Sequence, residues 1–138
     1  IGLGLALARA HDRVLVLTGD GEILMGLGSL STVGVQQPKN LAVVVLDNEH
    51  FGETGMQATH TAGSVNLAEI ARASGFASCW ALKEPGELES TRLRILKDKG
   101  PLFCGIKVRA ESLPLVLPPK EGYLLQQRFR NALFENKN

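Results

Sequence analysis

Two short segments hold the residue types that chemistry needs. Gly19-Asp20-Gly21 follows the apolar run Val14-Leu15-Val16-Leu17, and Asp47-Asn48 follows a second apolar run over 41–46. In open parallel sheets, ligands sit beyond the carboxyl ends of strands, and both segments fall at such ends. Gly19 and Gly21 permit a tight turn with uncovered backbone N–H groups, and the helix that follows presents its N-terminus to an anion. An aspartate at that place repels a phosphate unless a cation lies between them. Mg2+ resolves the conflict, because it accepts carboxylate, amide, main-chain and phosphate oxygens in one octahedron. In that reading Asp20 supplies charge, Asn48 a neutral oxygen, and a main-chain carbonyl within 49–52 completes the protein's share. Taken singly, each piece has a plainer explanation: Asp20-Gly21 as a turn, and Asn48 as a cap.

The elements that must position these residues alternate between strand and helix. Small residues over 2–10 predict a helix, and the continuous apolar run 13–18 a buried strand. Ile23, Leu27 and Leu30 recur at helical spacing, which predicts one helix from Glu22 to about Val35, broken by Pro38. A second buried strand follows over 41–46. The segment 49–65 shows no periodicity and reads as a long irregular loop, a place where function concentrates. Asn66 and Glu69 form a capping-box pattern that starts a helix ending near Gly75. A strand over 76–82, a helix over 85–99, a strand over 102–108 and a final amphipathic helix over 122–134 complete the chain, with Pro114, Pro118 and Pro119 stiffening the last connection. The expected fold class is α/β: a three-layer α/β/α domain with a mostly parallel central sheet covered on both faces.

Composition narrows the function classes. With 138 residues the chain is one domain, 1–138. Fifteen basic against fourteen acidic residues leave a net charge of +1, so neither a nucleic acid nor a membrane surface is an expected partner. Cys79 and Cys104 lie in apolar runs without metal-ligand spacing and read as buried reduced thiols of a cytoplasmic protein. The opening apolar segment resembles a core helix entered part-way, which predicts missing residues at its start. His11 is expected to close the first helix and His60, between Thr59 and Thr61, is a candidate acid/base or substrate contact. A plain hydrogen-bonding role for His60 is the competing reading. Lys107 and Arg109 read as solvated, and Trp80 as core or interface packing.

Twenty-six residues separate Gly21 from Asn48, spanning one helix and one strand. Gly-Asp-Gly, some two dozen residues, then Asn resembles the signature of thiamine-diphosphate-dependent enzymes. The segments 51–57 and 59–61 are similar to the loop of the sulfopyruvate and phosphonopyruvate decarboxylase branch. The resemblance extends over roughly residues 1–110. It implies that Asp20, Asn48 and the main-chain carbonyl of His50 bind Mg2+. It further implies that Gly19, Asp20, Gly21, Glu22, Met25, Asn48, His50, Phe51 and Gly52 surround thiamine diphosphate, with Leu24 and Leu27 beside Met25 at the thiazolium. The implied reaction is decarboxylation of a 2-oxo acid, with the cofactor as electron sink.

Three positions depart from the family pattern. Asp47 stands where many members have Asn, Glu22 where a small residue is common, and His50 where Gly is common. Asp47 adds negative charge beside the site, and the Glu22 carboxylate faces the diphosphate unless it turns away. In the family it resembles, the glutamate that activates the cofactor belongs to a separate pyrimidine-binding domain, and Glu49 and Glu53 lie on the wrong segment for that role. A partner domain or subunit is therefore implied, in a homo- or hetero-oligomer. The alternative from another class is a non-catalytic nucleotide- or phosphate-binding α/β module, although neither a GxGxxG nor a GxxxxGK[ST] motif is present.

Overall fold

A computed structural model describes residues 1–111, 114 and 116–135; the predicted domain's last three residues lie outside them. Four parallel strands form the central sheet: β1 (Val14–Gly19), β2 (Leu41–Asp47), β5 (Ser78–Leu82) and β6 (Leu102–Lys107), in the order β1-β2-β6-β5. Between β2 and β5 lies a two-stranded antiparallel hairpin of β3 (His50–Phe51) and β4 (Gln57–Ala58). The described residues form six α-helices packed around the sheet: α1 (Gly2–Ala8), α2 (Asp20–Met25), α3 (Gly28–Gln36), α4 (Leu67–Ala73), α5 (Leu88–Lys97) and α6 (Gly122–Glu135).

Strand order decides where the helices lie. From β1 to β2 to β5 the chain steps across the sheet in one direction, so right-handed crossovers place α2, α3 and α4 on one face. The step from β5 back to β6 reverses direction and puts α5 on the other. Side-chain alternation along the strands agrees. Val43, Val45 and Phe103 pack with Leu30, Val33, Leu67 and Ala71 on the first face, together with Ala6 of α1. Ala42, Val44, Leu102 and Cys104 pack with Ile95 of α5 on the second. That second layer stops short of β1, where Leu15 and Leu17 remain 47% and 62% exposed. Phe129 and Leu133 of α6 line a small cleft with Leu15. No helix among the described residues is long and apolar enough to cross a membrane.

Several sequence expectations need correction. The helix predicted from Glu22 to Val35 is two helices, separated at Gly26–Leu27. Glycines at 26 and 28 each weaken helix continuation by about 1 kcal/mol, and the chain bends there. The helix also starts earlier than expected, with Asp20 as its first residue. The segment 49–65 is not irregular: it holds the β3–β4 hairpin and two 3-10 turns, 52–54 and 60–62. The helix expected over 85–99 opens with a 3-10 turn before α5. The first helix ends at Ala8, so the exposed His11 lies beyond it and does not close it.

Other expectations hold. Asn66 caps α4, its side-chain oxygen accepting from Ala68 and Glu69 N–H at 3.0 and 3.2 Å. Both cysteines are free and buried. Trp80 is half-buried on β5, with the Arg94 guanidinium of α5 4.1 Å from its ring centroid. Gly34 lets α3 approach the end of α4, because any Cβ there would strike the Ser74 carbonyl.

Candidate functional site

One cleft of about 770 Å3 opens at the carboxyl edge of β1, β2 and β6. Its lining includes Gly19, Asp20, Gly21, Glu22, Met25, Asn48, His50, Phe51 and Gly52. These nine nominated residues therefore border a single space, whereas Leu24 and Leu27 do not. The parallel register explains how: Gly19 pairs with Leu46, so the first residue of α2 and the residues just after β2 reach the edge together.

Asp20 is 2% exposed. Its Oδ2 accepts from the Thr59 hydroxyl at 2.5 Å and lies 3.1 Å from the Thr61 hydroxyl. The Asn48 side-chain oxygen accepts the His50 N–H at 2.9 Å, and the His50 ring Nδ1 sits 2.9 Å from the Asn48 carbonyl. In the hairpin, Thr59 N–H donates to the Glu49 carbonyl and Met56 N–H to the Phe51 carbonyl. Successive carbonyls of a strand point opposite ways, so the His50 carbonyl between them turns out of the hairpin. Gly21 lies against the Phe51 ring, and a Cβ there would approach it to 2.9 Å. Phe51 thus packs directly over the turn, and a side chain at position 21 would have to push its ring away.

Glu22 folds back. Its Oε2 accepts the Gly19 N–H at 2.6 Å, which turns the carboxylate toward the start of α2. Of the three apolar residues assigned to the thiazolium region, only Met25 borders the cleft. It is 78% exposed, whereas Leu24 and Leu27 pack against the core. His60 is exposed on the second 3-10 turn and does not line the cleft.

The end of β6 contributes residues that sequence reading passed over. Lys107, Val108 and Arg109 all line the cleft. Lys107 is not simply solvated: its Nζ pairs with Asp47 Oδ2 at 2.9 Å and with Glu49. Burial alone would lower this ammonium's pKa, but the hydrogen bonds and charges of Glu49 and Asp47 outweigh it and hold the group above the ordinary lysine value. Arg109 keeps 89% of its side chain exposed, with a loose 3.7 Å contact to Glu111. The only sequence signal for either residue was its place at the end of a predicted strand beside the site. Asp47, 7% exposed, also receives Thr61 Oγ1 at 2.7 Å and the Glu49 N–H at 3.1 Å.

Residues 1–106 match the family described as thiamine pyrophosphate enzyme, C-terminal TPP binding domain. The chain belongs to that family. It is 56% identical over 75 residues to the sulfopyruvate decarboxylase subunit beta of Methanocaldococcus jannaschii, a match covering 54% of this chain and 39% of that protein. It is 38% identical over 120 residues to the phosphonopyruvate decarboxylase of Streptomyces viridochromogenes, covering 87% of this chain and 30% of that one. The chain thus matches well under half the length of each. Among solved structures, the benzoylformate decarboxylase of Polynucleobacter necessarius shares the fold, with a TM-score of 0.67 and 21% identity over 83% of this chain and 23% of that chain.

Proposed function

We propose that the chain is the diphosphate- and Mg2+-binding part of a thiamine-diphosphate-dependent decarboxylase of 2-oxo acids, of the sulfopyruvate or phosphonopyruvate type. The observation that carries this reading is that the nine residues nominated by the family resemblance, drawn from two segments of the chain, line one cleft. The donor set suits a hard cation that bridges to phosphate. Asp20 offers a buried carboxylate whose Oδ1 accepts no hydrogen bond from the described residues, Asn48 an amide oxygen carrying one hydrogen bond, and His50 an outward carbonyl. These three hold Mg2+. The turn Gly19-Asp20-Gly21-Glu22 faces the diphosphate, with Met25, Phe51 and Gly52 as walls.

Thiamine diphosphate supplies the electron sink for loss of CO2. The chain's own residues bind, orient and screen that group from water. The carboxylate that activates the pyrimidine comes from a pyrimidine-binding domain or subunit, in a homo- or hetero-oligomer of the cytoplasm. His60 takes no part.

Calorimetric titration with thiamine diphosphate, with Mg2+ and with EDTA, tests the reading on the chain assembled with its pyrimidine-binding partner. Binding is expected to require Mg2+ and to vanish in Asp20→Ala. Asn48→Ala is expected to weaken it far more than His60→Ala, and equal effects would count against the metal assignment. Tight binding of ATP with no response to thiamine diphosphate would replace this reading with the phosphate-binding module.

A further inference from the structure

Behind Asp20, four buried oxygen atoms are joined by four close contacts. Thr59 Oγ1 is 2.5 Å from Asp20 Oδ2 and 2.9 Å from Thr61 Oγ1. Thr61 Oγ1 is in turn 3.1 Å from Asp20 Oδ2 and 2.7 Å from Asp47 Oδ1. None of these four residues is more than 7% exposed. A hydroxyl has one proton to donate, and a carboxylate has none. Two protons therefore serve four contacts, and the shortest contact of each hydroxyl takes its own. Thr59 donates to Asp20, and Thr61 donates to Asp47.

We propose that Thr59 is a positioning residue for the metal site. Its hydroxyl pins Oδ2 of Asp20 so that Oδ1 faces the cleft, where a divalent cation takes it. This inference rests on the reading of Asp20 as a Mg2+ ligand. The backbone explains why this threonine has the task. Thr59 N–H donates to the Glu49 carbonyl at 2.8 Å, which ties it to the segment carrying Asn48 and His50. One hairpin thus presents two of the oxygen donors and orients the third. Thr61 serves the neighbouring carboxylate and leaves Asp20 to Thr59. Partners of this kind, one bond removed from the metal, typically set 10–100-fold of metal affinity.

The test titrates thiamine diphosphate binding by calorimetry at stepped Mg2+ in the assembled native enzyme. Thr59→Val is expected to raise the Mg2+ needed for half-maximal binding by about 10–100-fold. Thr59→Ser, which keeps the hydroxyl, is expected to return it close to the parent value, and Thr61→Val to have the smaller effect. If the valine variant does not fold, Thr59→Ala removes the hydroxyl with less bulk and carries the comparison. A merely structural role would lower the unfolding midpoint in EDTA without moving the Mg2+ requirement, and that result overturns the proposal. So does a serine variant as impaired as the valine one, or a Thr61→Val effect equal to that of Thr59→Val. Binding by the parent protein without any Mg2+ requirement overturns the metal reading itself, a separate result from failure of the threonine variants.

Discussion

Asp47 and Lys107 are direct partners in the parallel β2–β6 register, with Lys107 Nζ 2.9 Å from Asp47 Oδ2. Alternation places both on the face shared with Val45 and Gly105, next to the cleft. The aspartate that departs from the family's more common asparagine is therefore matched by a lysine from the adjacent strand. Its charge is offset locally and does not accumulate beside Asp20.

This pairing predicts compensation. Lys107→Met leaves a nearly buried carboxylate without its cation and is expected to lower stability by about 1–2 kcal/mol. That is less than for a fully buried pair, because Lys107 keeps about a third of its surface in water. Asp47→Asn in the same chain is expected to restore most of the loss. Denaturant unfolding of the two single variants and the double variant measures the coupling, and simple additivity would refute it. The ammonium pKa is raised in the folded state, so the pair's contribution is complete below the ordinary lysine value near 10.5. It fades as pH rises through the higher folded value.

Glu22 predicts a gain from removing charge. Glu22→Gln keeps an oxygen for the Gly19 N–H and deletes a negative charge at the turn assigned to the diphosphate. Thiamine diphosphate affinity is expected to rise by about threefold at low ionic strength, and the gain should shrink in high salt. Calorimetry at two salt concentrations reads both effects. Weaker binding in the glutamine variant would show that the carboxylate does more than cap α2.

Arg109 reaches the cleft with its charge loosely matched by Glu111. A cation there suits a 2-oxo acid bearing a second anionic group. Arg109→Gln is expected to raise KM for such a substrate by about tenfold, the value of one charge-assisted hydrogen bond. KM for a singly charged 2-oxo acid should change little. Steady-state kinetics with both substrates decides it.

Cys104 is 1% exposed, and burial pushes its thiol up to about 11. Burial raises Cys79 as well, with Arg72 opposing. Neither is expected to react with iodoacetamide in the folded protein at neutral pH, and both should react after unfolding. Mass spectrometry counts the adducts. The unfolded thiol ionises near 9.0 and the folded Cys104 does not, so its contribution to stability is complete below pH 9 and is lost as pH climbs toward 11.

The part of the site legible in the sequence was the part attached to long apolar runs. β1 and β2 are both unbroken apolar runs, β2 buried almost throughout and β1 on one face, so their ends were visible, and with them Asp20 and Asn48. What escaped depended on register between strands distant in sequence or on very short elements. Lys107 has meaning only opposite Asp47, sixty residues away. Thr59 is delivered by a hairpin whose strands are two residues each, below the reach of any periodicity. The break at Gly26–Leu27 was missed because the apolar spacing continues through it. The family resemblance puts Leu24 and Leu27 beside Met25 at the thiazolium, although 100° per residue turns them toward the core.

The order β1-β2-β6-β5 also constrains how the chain can acquire its structure. Among the described residues β5 has a single neighbour, β6, and β6 is the last strand made. Until Leu102–Lys107 has inserted, β2 and β5 each present an open edge, and no sheet contact links them. Within the central sheet, a nascent or truncated chain ending before Leu102 can pair only β1 with β2, leaving the hydrophobic strand 41–47 unprotected on one side. Closure by a central, late strand is a non-local event with the slow kinetics of parallel pairing. Cleavage between α5 and β6 would therefore do more than remove an end: it would take out the member that joins the two halves of the sheet.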